Sequence, residues 1–230
     1  MLRASGETLE GPHPSDLFDV LIDADGALVL VLLDLQAGAE SSGSFLATMM
    51  RQTRSALEAH EPLHRVVAEL ELQLAARPGV EAGLIILRVS QRDARVELLN
   101  AGMPALANAL PGGQLSLHPA LSSPVGRRVG EVHPYELLPL IWGSAWLAVS
   151  DGMTSGSFDS QSVSDLCERL GLAERGMVLA ASSSEQLYDT LQEVLPAARF
   201  LRDDATCVVI GADVHGLGGS GRFQSGIESR

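Results

Sequence analysis

The chain has 230 residues, of which 46% are hydrophobic, enough to bury the core of one large domain or two small ones. Its 29 acidic and 16 basic residues give a formal net charge of −13, which disfavours binding to nucleic acid or to anionic lipid. The beginning of the chain lacks the apolar core of a secretory signal, and the most apolar run, residues 137–149, is too short to span a bilayer. We therefore expect a cytoplasmic protein without a nucleic-acid or membrane partner.

The two ends of the chain differ in composition from the part between them. Residues 1–14 are predicted to form a flexible arm and residues 213–230 a flexible tail, because both are rich in Gly, Ser and charged residues. Between the ends the sequence has no internal repeat and no long linker. A single domain over residues 15–212 is the simplest prediction.

The first elements are predicted to be two strands and two helices. Two apolar runs, residues 16–22 and 27–33, are separated by a segment that ends in Asp25-Gly26, and the Asp-Gly pair predicts a hairpin turn. The second run is almost continuously apolar, which indicates a strand buried on both faces. A helix is predicted from Ser44 on helical periodicity, and Pro62 is predicted to open a second helix.

The remainder of the chain is predicted to be β-rich and then helical. Strands are expected in five runs between turn signals, at residues 84–89, 95–99, 105–110, 114–117 and 146–150. Two helices, near residues 161–170 and 184–195, precede a last strand at residues 205–210. Because strands and helices are segregated along the chain, the predicted fold class is α+β, an α-β-β-α sandwich of two antiparallel sheets flanked by helices.

Two features that could suggest catalysis are better explained by structure. Cys167 and Cys207 lie 40 residues apart in apolar stretches, which predicts buried small side chains and neither a disulfide framework nor a zinc site. The run Ser182-Ser183-Ser184-Glu185 precedes an apolar run, which is typical of a helix N-cap. Neither feature is interpreted as a nucleophile.

The acidic residues at strand ends are the more informative feature. Asp16 opens the first predicted strand, Asp34 follows the second, Asp151 follows a later one, and Asp203 and Asp204 precede the last. A single Asp at a strand end is common turn chemistry, but in a sandwich distant strand ends can converge at one edge. Converging carboxylates would repel one another unless a cation lay among them, and Mg²⁺ and Mn²⁺ prefer oxygen ligands. The pattern therefore predicts a divalent metal site.

These aspartates lie in five short blocks that occur in a recognisable order. The blocks are Asp16-Leu17-Phe18-Asp19, Asp34-Leu35, Asn100-Ala101-Gly102-Met103-Pro104, Ser150-Asp151-Gly152-Met153-Thr154 and Arg202-Asp203-Asp204-Ala205-Thr206. Over residues 15–211 the chain resembles the PPM-type metal-dependent protein serine/threonine phosphatases. More narrowly, it resembles the bacterial branch that includes regulators of sporulation and stress-response sigma factors.

The resemblance implies two bound divalent cations, Mn²⁺ or Mg²⁺. It implies that Asp34 bridges the two ions and that Asp151 is a ligand of the first ion, so both are candidate catalytic residues. A water that bridges the ions would attack phosphoserine or phosphothreonine directly, without a phosphoenzyme. The other implied ligands are Asp16 and the Leu35 carbonyl for the second ion, and Asp203 with its neighbour Asp204 for the first.

Several positions depart from the pattern of that family. Pro14-Ser15-Asp16 replaces Gly-Gly-Asp, and residues 35–39 replace a loop that normally continues as a small residue and then Gly-His/Lys-Gly. Met103 replaces a His, and residues 80–83 replace a strand that carries Thr-Ala. The aspartates that the resemblance assigns to the metals are nevertheless all present.

The resemblance implies a phosphatase that acts on a phosphorylated regulatory protein of the anti-anti-sigma or stressosome type. It would be a stand-alone catalytic module whose signal arrives through an activating partner protein. One alternative is a catalytically weak or inactive phosphatase-like module that binds a signalling partner. Another is a metal-dependent hydrolase of small phosphoesters.

Overall fold

The computed structural model describes residues 1–9, 11, 15–36, 43–128, 130–154, 160–194 and 204–213. These residues form two antiparallel five-stranded sheets and five α-helices, which confirms the predicted α+β class. The chain divides into two compact units. The first unit comprises Met1–His13, Pro104–Pro119 and Ile141–Arg230, and the second unit comprises Pro14–Met103 and Ala120–Leu140.

The elements follow one another in an order close to the predicted one. The first half contains β1 (Leu2–Leu9), β2 (Asp16–Ile22), β3 (Leu28–Gln36), α1 (Gly43–Glu58), α2 (Leu63–Ala75), β4 (Glu81–Ser90) and β5 (Arg95–Ala101). The second half contains β6 (Leu106–Ala109), β7 (Leu115–His118), β8 (Glu136–Pro139), β9 (Ala145–Val149), α3 (Ser160–Leu170), α4 (Leu172–Leu179), α5 (Ser184–Val194) and β10 (Ala205–Ala212). Among the described helices, none combines the length and the apolar character needed to cross a membrane.

The second unit contains a sheet in the order β2-β3-β4-β5-β8, with α1 and α2 packed on one face. Because successive residues of a strand point to opposite faces, Val29, Val31 and Leu33 of β3 share the helix-covered face. Pro62 is the N-cap residue of α2, so that helix begins where the sequence predicts. The apolar residues of the two helices recur three and four positions apart and complete this core.

The first unit contains a sheet in the order β1-β10-β9-β6-β7, whose core includes side chains of α3, α4 and α5. Helix α5 begins with a reciprocal cap that confirms the N-cap prediction. The Gln186 N–H donates to Ser183 Oγ at 3.3 Å, and the Ser183 N–H donates to Gln186 Oε1 at 3.0 Å.

The prediction that residues 1–14 form a flexible arm is wrong for Leu2–Leu9. These residues form β1, which pairs with β10 in continuous antiparallel register from Leu2 opposite Ala212 to Leu9 opposite Ala205. The pairing buries Leu2 and Leu9 and covers one edge of β10. Residues 214–230, the rest of the predicted tail, lie outside the described residues, and the single domain over residues 15–212 stays a prediction.

Three further differences concern elements inside the chain. Strand β3 extends to Gln36, so Asp34 lies within the strand and not after it. Strand β8 was not predicted, because it is a four-residue edge strand that ends in Pro139 and leaves Leu137 63% exposed. Helix α4 was not predicted either; it follows Gly171, whose φ of 62° separates it from α3.

Candidate metal-binding residues

Two of the predicted ligands lie directly opposite each other in the second unit. Asp16 of β2 pairs in register with Asp34 of β3, and their exposed fractions are 7% and 3%. Directly opposite residues of an antiparallel pair have Cβ atoms about 4.5–5.5 Å apart, and like charges in that position destabilise the sheet. A cation bound to both carboxylates would remove this repulsion, so the pair fits the chemistry of a divalent metal site.

The backbone around this pair is fixed on both sides. The Leu35 N–H donates to the Ser15 carbonyl at 2.9 Å, which continues the ladder beyond Asp16 and Asp34. Because Val29, Val31 and Leu33 share the helix-covered face, alternation places Asp34 on the other face of the sheet. Strand β3, which carries Asp34, lies between β2 and β4 in the sheet, so Asp34 is on an interior strand.

The neighbour of Asp34 on its other side is Gly83 of β4. A Cβ at residue 83 would overlap the sulfur of Met103, so the Met103 thioether occupies the place of the missing side chain. The Met103 N–H donates to Asn100 Oδ1 at 3.2 Å. The third sequence block is thus brought to the same face as Asp34, on the side opposite Asp16.

The first unit brings together the two remaining blocks. Asp151 begins a short 3₁₀ turn, Asp151–Thr154, directly after β9. The Ser150 N–H donates to the Thr206 carbonyl at 3.0 Å, and the Thr206 N–H donates to Ser150 Oγ at 2.9 Å. A Cβ at Gly152 would overlap the Asp204 carbonyl oxygen, so glycine is required for this close approach.

Asp204 already has a structural partner within its own unit. It is 1% exposed, and its Oδ1 accepts a hydrogen bond from the Gly11 N–H at 2.5 Å. This bond attaches the segment after β1 to the start of β10. Asp203, which the resemblance assigns as the principal ligand at this position, lies outside the described residues, as do residues 37–39 of the divergent loop.

The predicted ligands among the described residues would each offer an oxygen atom, which suits Mg²⁺ or Mn²⁺. They are the carboxylates of Asp16, Asp34, Asp151 and Asp204 and the carbonyl of Leu35. Within the described ranges, no group of three or more His, Cys, Asp or Glu side chains is placed so that it could hold a metal ion. The ligand assignment therefore stays a prediction.

A buried group of charges at the turn between β2 and β3 was not predicted from the sequence. Arg88 is 3% exposed and lies 3.3 Å from Asp23 Oδ2 and 3.0 Å from Glu97 Oε2. His60, with a φ of 57°, lies 2.6 Å from Asp23 and 3.2 Å from Asp25. The group fastens the turn to the end of α1. Its only sequence signal was an isolated Arg in an apolar strand.

The two cysteines are buried, as the sequence predicts. Cys167 lies on α3 and Cys207 on β10, in the same core. Burial disfavours the charged form and raises the pKa of each thiol to about 12. A thiol with so high a pKa is a poor nucleophile, so neither residue is a catalytic candidate.

Comparison with known proteins gives matches among solved structures only. No family model and no curated protein matches the chain. The RsbU and RsbW domains of Rv1364c from Mycobacterium tuberculosis align with a TM-score of 0.74 and 18% identity, over 92% of this chain and 60% of that chain. The PP2C phosphatase domain of SpoIIE from Bacillus subtilis, solved with a fragment of its regulatory domain, aligns with a TM-score of 0.68 and 15% identity, over 91% of this chain and 63% of that chain.

A third structure, RsbX in complex with magnesium, aligns with a TM-score of 0.63 and 16% identity, over 91% of this chain and 94% of that chain. The chain spans less than two thirds of the first two structures and nearly all of the third. It therefore has the fold of the PP2C or PPM-type phosphatase domains, which confirms the fold that the five blocks implied.

Proposed function

We propose that the chain is a metal-dependent protein serine/threonine phosphatase. The observation that carries the proposal is the register of β2 and β3, which puts two buried carboxylates, Asp16 and Asp34, opposite each other on a PP2C-type fold. Such a pair is costly without a cation and is well suited to binding one. The metal chemistry of this pair, together with the fold, supports a metal-dependent phosphatase.

The proposed ligands are the six that the resemblance implies. Two Mn²⁺ or Mg²⁺ ions bound by them would supply an activated water and would orient the phosphoryl group. Asp34 stands on a central strand with ladders on both sides, which holds a carboxylate more rigidly than a loop does. The ligands are Asp16, Asp34, the Leu35 carbonyl, Asp151, Asp203 and Asp204, with Asp34 and Asp151 as the catalytic pair.

We propose a phosphorylated regulatory protein as the substrate, of the anti-anti-sigma or stressosome type. The resemblance to bacterial sigma-factor regulators supports this choice, and RsbU and SpoIIE domains are among the similar structures. Because the chain carries a formal charge of −13, we expect its substrate or its activating partner to present a basic surface.

The test is phosphate release at millimolar Mn²⁺ from a phosphoserine peptide and from p-nitrophenyl phosphate. Wild type should hydrolyse the peptide, and Asp34→Asn should lower the rate by about 100-fold or more, since even residues outside the ligand shell change activity by about 10–100-fold. Asp19→Asn is the matched control on the same strand as Asp16. Asp19 forms a surface ion pair with Arg54 at 2.6 Å, so its loss should change the rate less than about twofold.

Each result that contradicts the proposal favours a different explanation of the chain. No release by wild type would favour the inactive phosphatase-like module. Hydrolysis of p-nitrophenyl phosphate but not of the peptide would favour a hydrolase of small phosphoesters. An unchanged rate in Asp34→Asn would show that the assigned ligands are wrong.

A further inference from the structure

Position 83 lies beside the proposed bridging carboxylate but contributes no side chain of its own. Gly83 of β4 is the register partner of Asp34 of β3. The space that its side chain would take is filled, because a Cβ there would overlap the sulfur of Met103 and would lie 3.2 Å from its Cγ. Met103 is 2% exposed, so the thioether is enclosed.

The path of the chain that delivers Met103 is fixed by its neighbours. Gly102 has a φ of +65°, and a Cβ on it would overlap the ring of Pro124, so only glycine fits there. The Gly102 N–H donates to the Ser122 carbonyl at 3.0 Å, and the Met103 N–H donates to Asn100 Oδ1 at 3.2 Å. Met103 is therefore held against Gly83 by its backbone as well as by its side chain.

The Met103 sulfur lies in the space that a side chain at residue 83, the register partner of Asp34, would take. Side chains of directly opposite residues meet across an antiparallel pair, with Cβ atoms about 4.5–5.5 Å apart. A Cβ at residue 83 would overlap the Met103 sulfur, so the thioether fills part of the space that the cross-strand neighbour of Asp34 would otherwise take. Asp34 thus has a carboxylate neighbour, Asp16, on one side and a thioether on the other.

We propose that Met103 is a positioning residue that holds the Asp34 carboxylate in its metal-binding orientation. The proposal rests on the proposed function, since it assumes that Asp34 binds metal. An apolar wall on one side limits the rotamers of Asp34 and keeps water from that side of the carboxylate. The thioether itself is not a ligand, because Mg²⁺ and Mn²⁺ prefer oxygen.

The contact also joins two departures from the family pattern. Residues 80–83 replace the family's Thr-Ala strand, and Met103 replaces its His. In this chain the Met103 sulfur occupies space that a Cβ at position 83 would need. Residue 83 therefore cannot carry a side chain while the sulfur stays where it is. The two substitutions therefore act as a single unit beside Asp34.

The test is Mn²⁺ affinity, measured by isothermal titration calorimetry on the folded 230-residue chain. Met103→Ala should raise the Kd for Mn²⁺ about 10-fold, the low end of the effect of residues that orient a ligand. Met103→Leu, which restores the volume without sulfur, should return the Kd to within about threefold of wild type. Met49→Ala is the matched control, because Met49 is equally buried in the same unit but lies in the helix-side core.

A second variant, Gly83→Ala, tests the same role of Met103 by adding a Cβ that competes with its sulfur for space. Gly83→Ala should displace the sulfur and raise the Kd, and it should have little further effect when Met103→Ala has already removed the thioether, because coupled residues are not additive. If Met103→Ala does not fold, the Kd of Gly83→Ala decides, and a wild-type value overturns the proposal.

Failure of this proposal is distinguishable from failure of the proposed function. Wild-type Mn²⁺ affinity in Met103→Ala, together with lost affinity in Asp34→Asn, overturns the role of Met103 and leaves the metal site standing. Unchanged affinity in Asp34→Asn overturns both. If Met49→Ala weakens binding as much as Met103→Ala, the effect is a general loss of stability and the positioning role is overturned.

Discussion

Replacing Gly152 by alanine tests the close approach of the Ser-Asp-Gly block to the start of β10. The added Cβ would overlap the Asp204 carbonyl oxygen, and its next contact is also backbone, so no flexible side chain can move aside. Overpacking of this kind costs about 1–3 kcal/mol, and we expect the upper part of that range because hydrogen bonds between Ser150 and Thr206 fix both segments. The φ of Gly152 is not left-handed, so the cost is purely steric.

Urea unfolding measures this cost directly. With a slope of about 2–3 kcal/mol per molar urea, the midpoint of Gly152→Ala should fall by about 1 M. Gly43→Ala is the control, because a Cβ there meets nothing within 4 Å. It should leave the midpoint unchanged or raise it slightly, since alanine reduces the freedom of the unfolded chain. Equal midpoints for the two variants would refute the close contact between Gly152 and Asp204.

Three further results are expected elsewhere in the chain. Asp23→Ala should lower the free energy of unfolding by about 3 kcal/mol, because it removes a buried partner of Arg88. Asp23→Asn should lower it less, since the amide oxygen can still accept the hydrogen bonds of the turn N–H groups. Chemical denaturation of both variants measures the two losses. Iodoacetamide at pH 8 should not label Cys167 or Cys207 in the native protein, because burial raises the pKa of each thiol to about 12, and should label both after unfolding, as mass spectrometry would show. Ser183→Ala should cost about 1 kcal/mol in thermal unfolding, since it removes the cap of α5.

The strength of the local pattern decided which elements the sequence could predict. The apolar run of β3 and the Asp-Gly turn before it are strong signals, and the structure has both. Strand β1 carries no comparable signal, because Ser5 and Gly6 interrupt its apolar residues and its partner, β10, lies about 200 residues further along the chain. An element that depends on so distant a partner cannot be inferred from local propensity.

The sequence could predict which residues are candidate metal ligands, but it could not predict which residues lie next to one another in the fold. The positions of the aspartates at strand ends predicted a metal site, yet Asp34 was expected after its strand. Only the register of β2 and β3 places it opposite Asp16. The contact between Met103 and Gly83 was equally hidden, because it depends on a turn at Gly102 and on burial. The role of Asp203 stays a prediction, since it lies outside the described residues.

Dependence of phosphate release on added metal tests the central claim most directly. Protein treated with a chelator and then freed of it should release no phosphate from a phosphoserine peptide. Millimolar Mn²⁺ should restore the activity, and the ion should do so in a saturable way because it occupies the oxygen ligands proposed for it. Equal release with and without Mn²⁺, in protein shown by elemental analysis to hold no divalent metal, would contradict the claim.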